Sequence, residues 1–359
     1  MGFNEIVTCF ISGAILLLSF LFLTNPLKVN VKGDLYFGIF LLLWASFWLD
    51  GLIFPDEIPT YVYYPIRLLQ FLCALTFYTS VVFYTNPGYK FGKKDFWILI
   101  LPVIFIGILS LKSVLNPKIY DCLYLIVFLG QALFYTVLSY FRIVRHQKQI
   151  EVFSANTELI NLNWIKYIIY SFMGSSILLI ILNLIETVQS LNLYINLYFL
   201  AVIYFVSYYG IRQTEIYPKG LNVSTDIEPE GTEIPERNAL MSALELEKNK
   251  EHLDLLMNDE MPFLDPELNL PKLAEMIGIS SHQLSYVINQ GYGMNFFNFV
   301  NGYRIAKAKD LLKDKNYDHL TILAIAYESG FNSKTAFNNT FKKITSITPS
   351  TFKNNKKVE

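Results

Sequence analysis

Near residue 212 the chain changes character, and no single hydrophobic core can accommodate both sides of that boundary. Before it, most charged residues fall in short gaps between long apolar runs. After it, polar and charged residues are interspersed at helical spacing. The overall composition of 53% hydrophobic and 16% charged residues averages two unlike halves, whereas a soluble chain carries about a quarter charged residues. The net charge of −1 likewise describes neither half.

Seven stretches of the first half are long and apolar enough to cross a bilayer, which takes about 20 residues. They run roughly over 6–23, 35–54, 61–84, 96–115, 122–144, 164–188 and 193–211. The first lacks a positive leader and a small-residue cleavage site, so it reads as a retained helix and not a signal peptide. Loop charge sets the orientation. Ten lysines and arginines (Lys28, Lys32, Lys90, Lys93, Lys94, Arg142, Arg145, Lys148, Arg212 and Lys219) fall on one side, against Lys112 and Lys118 on the other. Positive loops stay in the cytoplasm, so the amino terminus is expected outside and the carboxy terminus inside a bacterial cytoplasmic membrane.

Three charges fall within or near span ends on the outer side: Asp50, Arg67 and Glu186. Charges at such depth face a partner or a cavity. Two readings stay open: a ligand-sensing pocket, with Gln70, Gln131, Asn183 and Asn196 deeper in, and a structural ion pair or snorkelling side chains. Aromatic residues near the span ends (Tyr61, Tyr63, Tyr64, Trp44, Trp48, Trp97 and Trp164) fit an interfacial belt. The three cysteines, Cys9, Cys73 and Cys122, are odd in number, lack CxxC spacing and sit in apolar segments, which argues against a disulfide framework or zinc site.

Residues 213–240 contain Asp226, Glu228, Pro229, Glu230, Gly231, Glu233 and Pro235, a composition expected of a flexible acidic tether. About two dozen such residues reach roughly 25–30 Å. Helical patterning resumes with Leu246, Leu253, Leu256 and Met257, too brief a repeat for a coiled coil and better suited to packing within its own domain.

Two helix-turn-helix units follow. In the first, Leu273, Ala274 and Ile277 form an apolar face, Gly278 ends the helix, Ser280 or Ser281 caps the next, and Leu284, Val287 and Ile288 turn inward. His282, Ser285, Tyr286 and Asn289 are left outward. The second repeats the scheme with Ile325 and Ala326, Gly330, a Ser333 cap, and Phe337 and Phe341 inward. Lys334, Thr335, Asn338, Asn339 and Lys342 are outward. These side-chain types suit base edges and phosphates. From Lys272 onward twelve basic residues face six acidic ones, a local +6 that suits a polyanion. A helix containing Phe297, Val300, Ile305, Ala308, Leu311 and Leu312 lies between the units and would hold their spacing.

The runs Ile325-Ala-Tyr-Glu-Ser-Gly-Phe331, Phe337-Asn-Asn-Thr-Phe-Lys342 and Thr348-Pro-Ser-Thr-Phe-Lys353, with Tyr303-Arg304, Ala308 and Leu311-Leu312, resemble the AraC/XylS-type DNA-binding domain over roughly 245–353. The resemblance implies two recognition helices entering successive major grooves. It implies base contacts for His282, Ser285 and Tyr286 and for Lys334, Thr335, Asn338 and Asn339, and a structural role for Arg304. Ser346 departs from a usual glycine, which costs a few tenths to about 1 kcal/mol if the position needs positive φ. Asn339 departs from a usual basic residue.

The expected architecture is therefore all-α. Residues 1–212 form a seven-helix transmembrane domain, 213–240 a linker and 241–359 a double helix-turn-helix domain. The expected function is a membrane-embedded transcription regulator without cofactor or metal. Its partners would be double-stranded DNA, the lipid bilayer, a small-molecule or membrane signal, and a second copy in a homodimer. The alternative is a membrane scaffold whose helix-turn-helix domain binds a cytoplasmic protein. The four histidines are dispersed, and no phosphate loop or nucleophile elbow suggests an enzyme.

Overall fold

The computed structural model describes residues 2–54, 58–158, 160–184, 191–217 and 240–355. Among these the chain is helical, without strands; the sole extended pairing is a bridge between Ser154 and Asn269. It divides into two compact units, one of residues 1–145 and 162–216, the other of 146–161 and 217–359.

The first unit holds α1 (Phe3–Thr24), α2 (Val31–Ile53), α3 (Thr60–Thr85), α4 (Ile100–Ser110), most of α5 (Pro117–Ile150), α6 (Asn163–Leu184) and α7 (Leu191–Ile211). Helices therefore form in all seven apolar stretches. Among the described residues five of them, α1, α2, α3, α5 and α7, are long and apolar enough to span a membrane. The fourth stretch differs from expectation. Its first part, Lys93–Leu99, winds as a 3-10 helix, leaving only 11 residues of α-helix. Pro102 lies near the start of that helix, where its missing N–H costs no hydrogen bond. The fifth runs 34 residues, well beyond the expected segment.

α1 packs along α2, α2 along α3, and α7 against α1. The interior is aromatic: Phe71 stacks on Phe105 at 3.9 Å, and Phe37, Phe40 and Trp44 run down one face of α2. Leu125, Leu129 and Leu133 of α5 instead face outward. Small polar residues within these helices bond back to their own turns: Thr79 donates to the Leu75 carbonyl and Ser139 to that of Tyr135. Their hydroxyls are thus satisfied without a cavity.

The second unit contains α8 (Ala243–Asp259), α9 (Leu270–Ile277), α10 (Ser281–Tyr292), α11 (Phe296–Lys313), α12 (Ile322–Glu328), α13 (Lys334–Thr345) and α14 (Pro349–Asn355). Ile305, Ala308, Leu311 and Leu312 of α11 meet Ile325, Ala326, Phe331, Phe337 and Phe341 in one core. Leu253, Leu256 and Met257 of α8 are buried in this unit, so the short leucine pattern packs inward. The expected tether falls mostly on 218–239, outside the described residues.

Candidate nucleic-acid interface

Each helix-turn-helix is built by local caps. Asn269 accepts from the Lys272 amide to start α9, and Gly278 ends it in the left-handed region with φ 73°. Ser280 then accepts from the Gln283 amide, and the Gln283 side chain reaches back to the Ser280 amide, a reciprocal capping box that opens α10. In the second unit Thr321 caps α12 and Ser333 caps α13. The inward residues Leu284, Val287, Ile288, Phe337 and Phe341 are all buried. Burial of those positions turns the opposite faces of α10 and α13 outward.

His282, Ser285 and Tyr286 lie half-buried on α10. On α13, Lys334, Thr335, Asn339 and Lys342 are exposed and Asn338 half-exposed. The structure thus gathers the expected residues onto two helices, three on one and five on the other.

Arg304, 1% exposed on α11, ties the connecting helix to the segment before the first helix-turn-helix and to the turn of the second. Its Nε donates to the Phe263 carbonyl at 2.8 Å, one terminal nitrogen to the Asp265 carbonyl at 2.9 Å, and the other to the Asn301 side chain. Burial pushes the guanidinium pKa down to about 10, which still leaves it charged at neutral pH. A buried charge must have its donors satisfied, and backbone carbonyls of the loop before α9 do so. Its Cζ lies 5.6 Å from the centroid of the Phe331 ring, in the turn of the second helix-turn-helix. One side chain thereby links the α8–α9 loop, the connecting helix and the second unit. α8 is tied in by Asp254, which accepts from the Tyr292 hydroxyl at 2.9 Å and from that of Tyr303 at 3.3 Å.

Residues 273–355 match the family model described as a helix-turn-helix domain. The chain is also similar to uncharacterised HTH-type transcriptional regulators of Staphylococcus aureus, among them those of strains COL, MSSA476 and N315. Each is 37% identical over 87 residues, 24% of this chain and 11% of the relative. The chain therefore matches only about a ninth of the length of these relatives, and no solved structure matches. The carboxy-terminal module is an AraC-type helix-turn-helix domain.

The AraC-type domain has a companion that the sequence did not reveal. Residues 146–161, between α5 and α6, lie in the same compact unit. The Phe153 carbonyl accepts from the Leu270 amide and the Glu151 carbonyl from the Phe297 amide, both at 2.9 Å. The Ala155 carbonyl accepts from the Asn301 side chain at 3.0 Å, and the Glu158 carboxylate accepts from the Ser333 hydroxyl. No periodicity or motif in this segment signals a partner, although Val152, Phe153 and Ala155 are buried beside the carbonyl and carboxylate contacts.

Of Asp50, Arg67 and Glu186, the first two meet. Arg67 lies 3.3 Å from the Asp50 carboxylate and 2.6 Å from the Gln70 side-chain oxygen, and the Gln70 amide donates to Asp50 at 3.1 Å. Glu186 lies outside the described residues. Gln131 sits apart, donating to the Phe71 carbonyl, and Asn196 bonds Trp48 and Asn4. The side chain of Asn183 is outside the described residues.

Proposed function

We propose that this chain is a membrane-embedded transcription regulator that reads promoter DNA from the cytoplasmic face of a bacterial membrane. The carrying observation is the presence, in one polypeptide, of an AraC-type helix-turn-helix domain and five helices of membrane-spanning length and apolarity. The loop-charge bias supports an external amino terminus and a cytoplasmic DNA-binding domain. His282, Ser285 and Tyr286 of α10, with Lys334, Thr335, Asn338 and Asn339 of α13, are the proposed base-reading set, and Lys342 adds a phosphate contact. The amino-terminal unit is the input. Any signal must bind two of its states with different affinity to change the output. Pairing of two chains in the membrane would raise the effective concentration of one reader beside the other on DNA, which makes a homodimer the simplest output state.

Membrane fractionation combined with chromatin-immunoprecipitation sequencing of the epitope-tagged full chain tests this reading. The expected result is tagged protein in the cytoplasmic-membrane fraction and enrichment at a small set of promoters. Soluble protein, or membrane protein with no enriched site, overturns it.

A further inference from the structure

The segment 146–161 offers hydrogen-bond acceptors to the AraC-type domain at three helix starts, and its Val152, Phe153 and Ala155 are buried. An α-helix leaves its first amides without internal partners and carries a partial positive charge there. At α9 the Leu270 amide, in the first helical position, is taken by the Phe153 carbonyl. At α11 the Phe297 amide, in the second position, is taken by the Glu151 carbonyl, while the Glu151 carboxylate accepts from the capping Asn295 at 3.3 Å. At α13 the capping Ser333 hydroxyl donates to the Glu158 carboxylate while its oxygen accepts from the Ala336 amide. Two carbonyls and two carboxylates therefore stand where phosphate oxygens are otherwise received.

The third contact matters most. The amino-terminal residues of a recognition helix are those that enter the major groove, and Ser333 immediately precedes Lys334 and Thr335. A carboxylate at this position brings negative charge to the place DNA must approach. Asn301, fully buried on α11, orients the strap by donating to Ala155 while accepting from Arg304.

We propose that residues 146–161 form an intramolecular strap that competes with DNA for the reading face of the AraC-type domain. DNA binding then requires the strap to leave. The segment includes the last turn of α5 and is followed by α6, so it is covalently continuous with both. This inference rests on the DNA-binding reading of the domain.

Ser154 and Asn269 offer a way to lock the strap. The Phe153–Leu270 bond beside their bridge makes them a non-hydrogen-bonded antiparallel pair, with Cα atoms about 4.5 Å apart and within disulfide reach. The test uses full-length Ser154→Cys/Asn269→Cys protein in nanodiscs, with Cys9, Cys73 and Cys122 replaced by alanine. A fluorescent random-sequence duplex at low salt is the probe. The expected result is that the disulfide forms on mild oxidation, weakens duplex binding by about tenfold or more, and is reversed by reductant. Equal affinity in the oxidised and reduced states overturns the competition. Failure of the disulfide to form overturns the docked strap. If neither state binds the duplex at low salt, the same assay is run with Glu151→Gln/Glu158→Gln, which removes the strap's carboxylates; binding gained there upholds the strap, and no binding there means that the DNA-binding reading itself fails.

Discussion

The guanidinium of Arg304 donates at 2.8 Å to the Phe263 carbonyl, and that same carbonyl closes over Gly330. A Cβ at Gly330 would stand 2.3 Å from the Phe263 oxygen and 2.9 Å from the Leu264 Cα, at a φ of 86°. Glycine is required here twice over, by backbone conformation and by space. Gly330→Ala is expected to cost more than the roughly 1 kcal/mol of a left-handed alanine alone, because backbone must shift. Arg304→Ala strands the buried Phe263 carbonyl and the part-buried Asp265 carbonyl and is expected to cost about 2–4 kcal/mol. Thermal unfolding of the full chain in detergent, read by protease protection of residues 240–355, measures both. Wild-type protection in Arg304→Ala would remove Arg304 from its structural role, and in Gly330→Ala it would show that the turn accommodates a Cβ.

Ser346 offers the opposite experiment. It closes α13 with φ 64°, in the region where glycine has no steric penalty. Ser346→Gly is expected to stabilise the AraC-type domain by about 0.5–1 kcal/mol, a rise of a few degrees in the same unfolding assay. A lowered midpoint would show that its side chain contributes something the backbone does not reveal.

The caps and core of this domain were legible because they depend on near neighbours. Gly278, Ser280 and Ser333 act over three or four residues, and the sequence shows that spacing directly. Arg304 was legible as structural only through resemblance, since its carbonyl partners lie some 40 positions away along the chain. The strap was not legible: its backbone carbonyls carry no side-chain signature, and Glu151, Phe153 and Glu158 follow no periodicity that names a partner. In the amino-terminal unit hydropathy located the seven helical stretches. It did not distinguish the 3-10 entry over Lys93–Leu99, where apolar content is the same for either helix type.

The Asp50–Arg67–Gln70 cluster separates its two readings by a double substitution. As a structural pair, Arg67→Ala leaves the Asp50 carboxylate short of a partner and lowers protein level, and adding Asp50→Ala restores much of it. As a ligand site, either substitution leaves protein level intact and abolishes the response. The mutual satisfaction of all three side chains favours the first outcome. Immunoblotting alongside promoter output distinguishes them.

Alkaline pH tests the α8 attachment. Burial, reinforced by neighbouring Asp254, pushes the Tyr303 phenol up to about 12. A raised pKa favours the folded state while the phenol is neutral. Its contribution is therefore full below about pH 10 and lost as pH rises through about 12. Tyr303→Phe is expected to shift the alkaline loss of helical circular dichroism to higher pH. An unchanged profile would show that this phenol does not report on folding.

DNA binding by the AraC-type domain is the claim on which the account turns, and its salt dependence measures it most directly. The full chain in nanodiscs should bind a promoter duplex recovered by immunoprecipitation. Affinity should fall on a log–log plot with a slope of about −0.9 per phosphate contacted. Lys342→Ala should lower that slope by about 1 across all sequences, whereas Asn338→Ala should cost about 1–3 kcal/mol on the recovered site alone. Binding indifferent to salt and to duplex sequence would contradict the account and leave a protein partner as the reading.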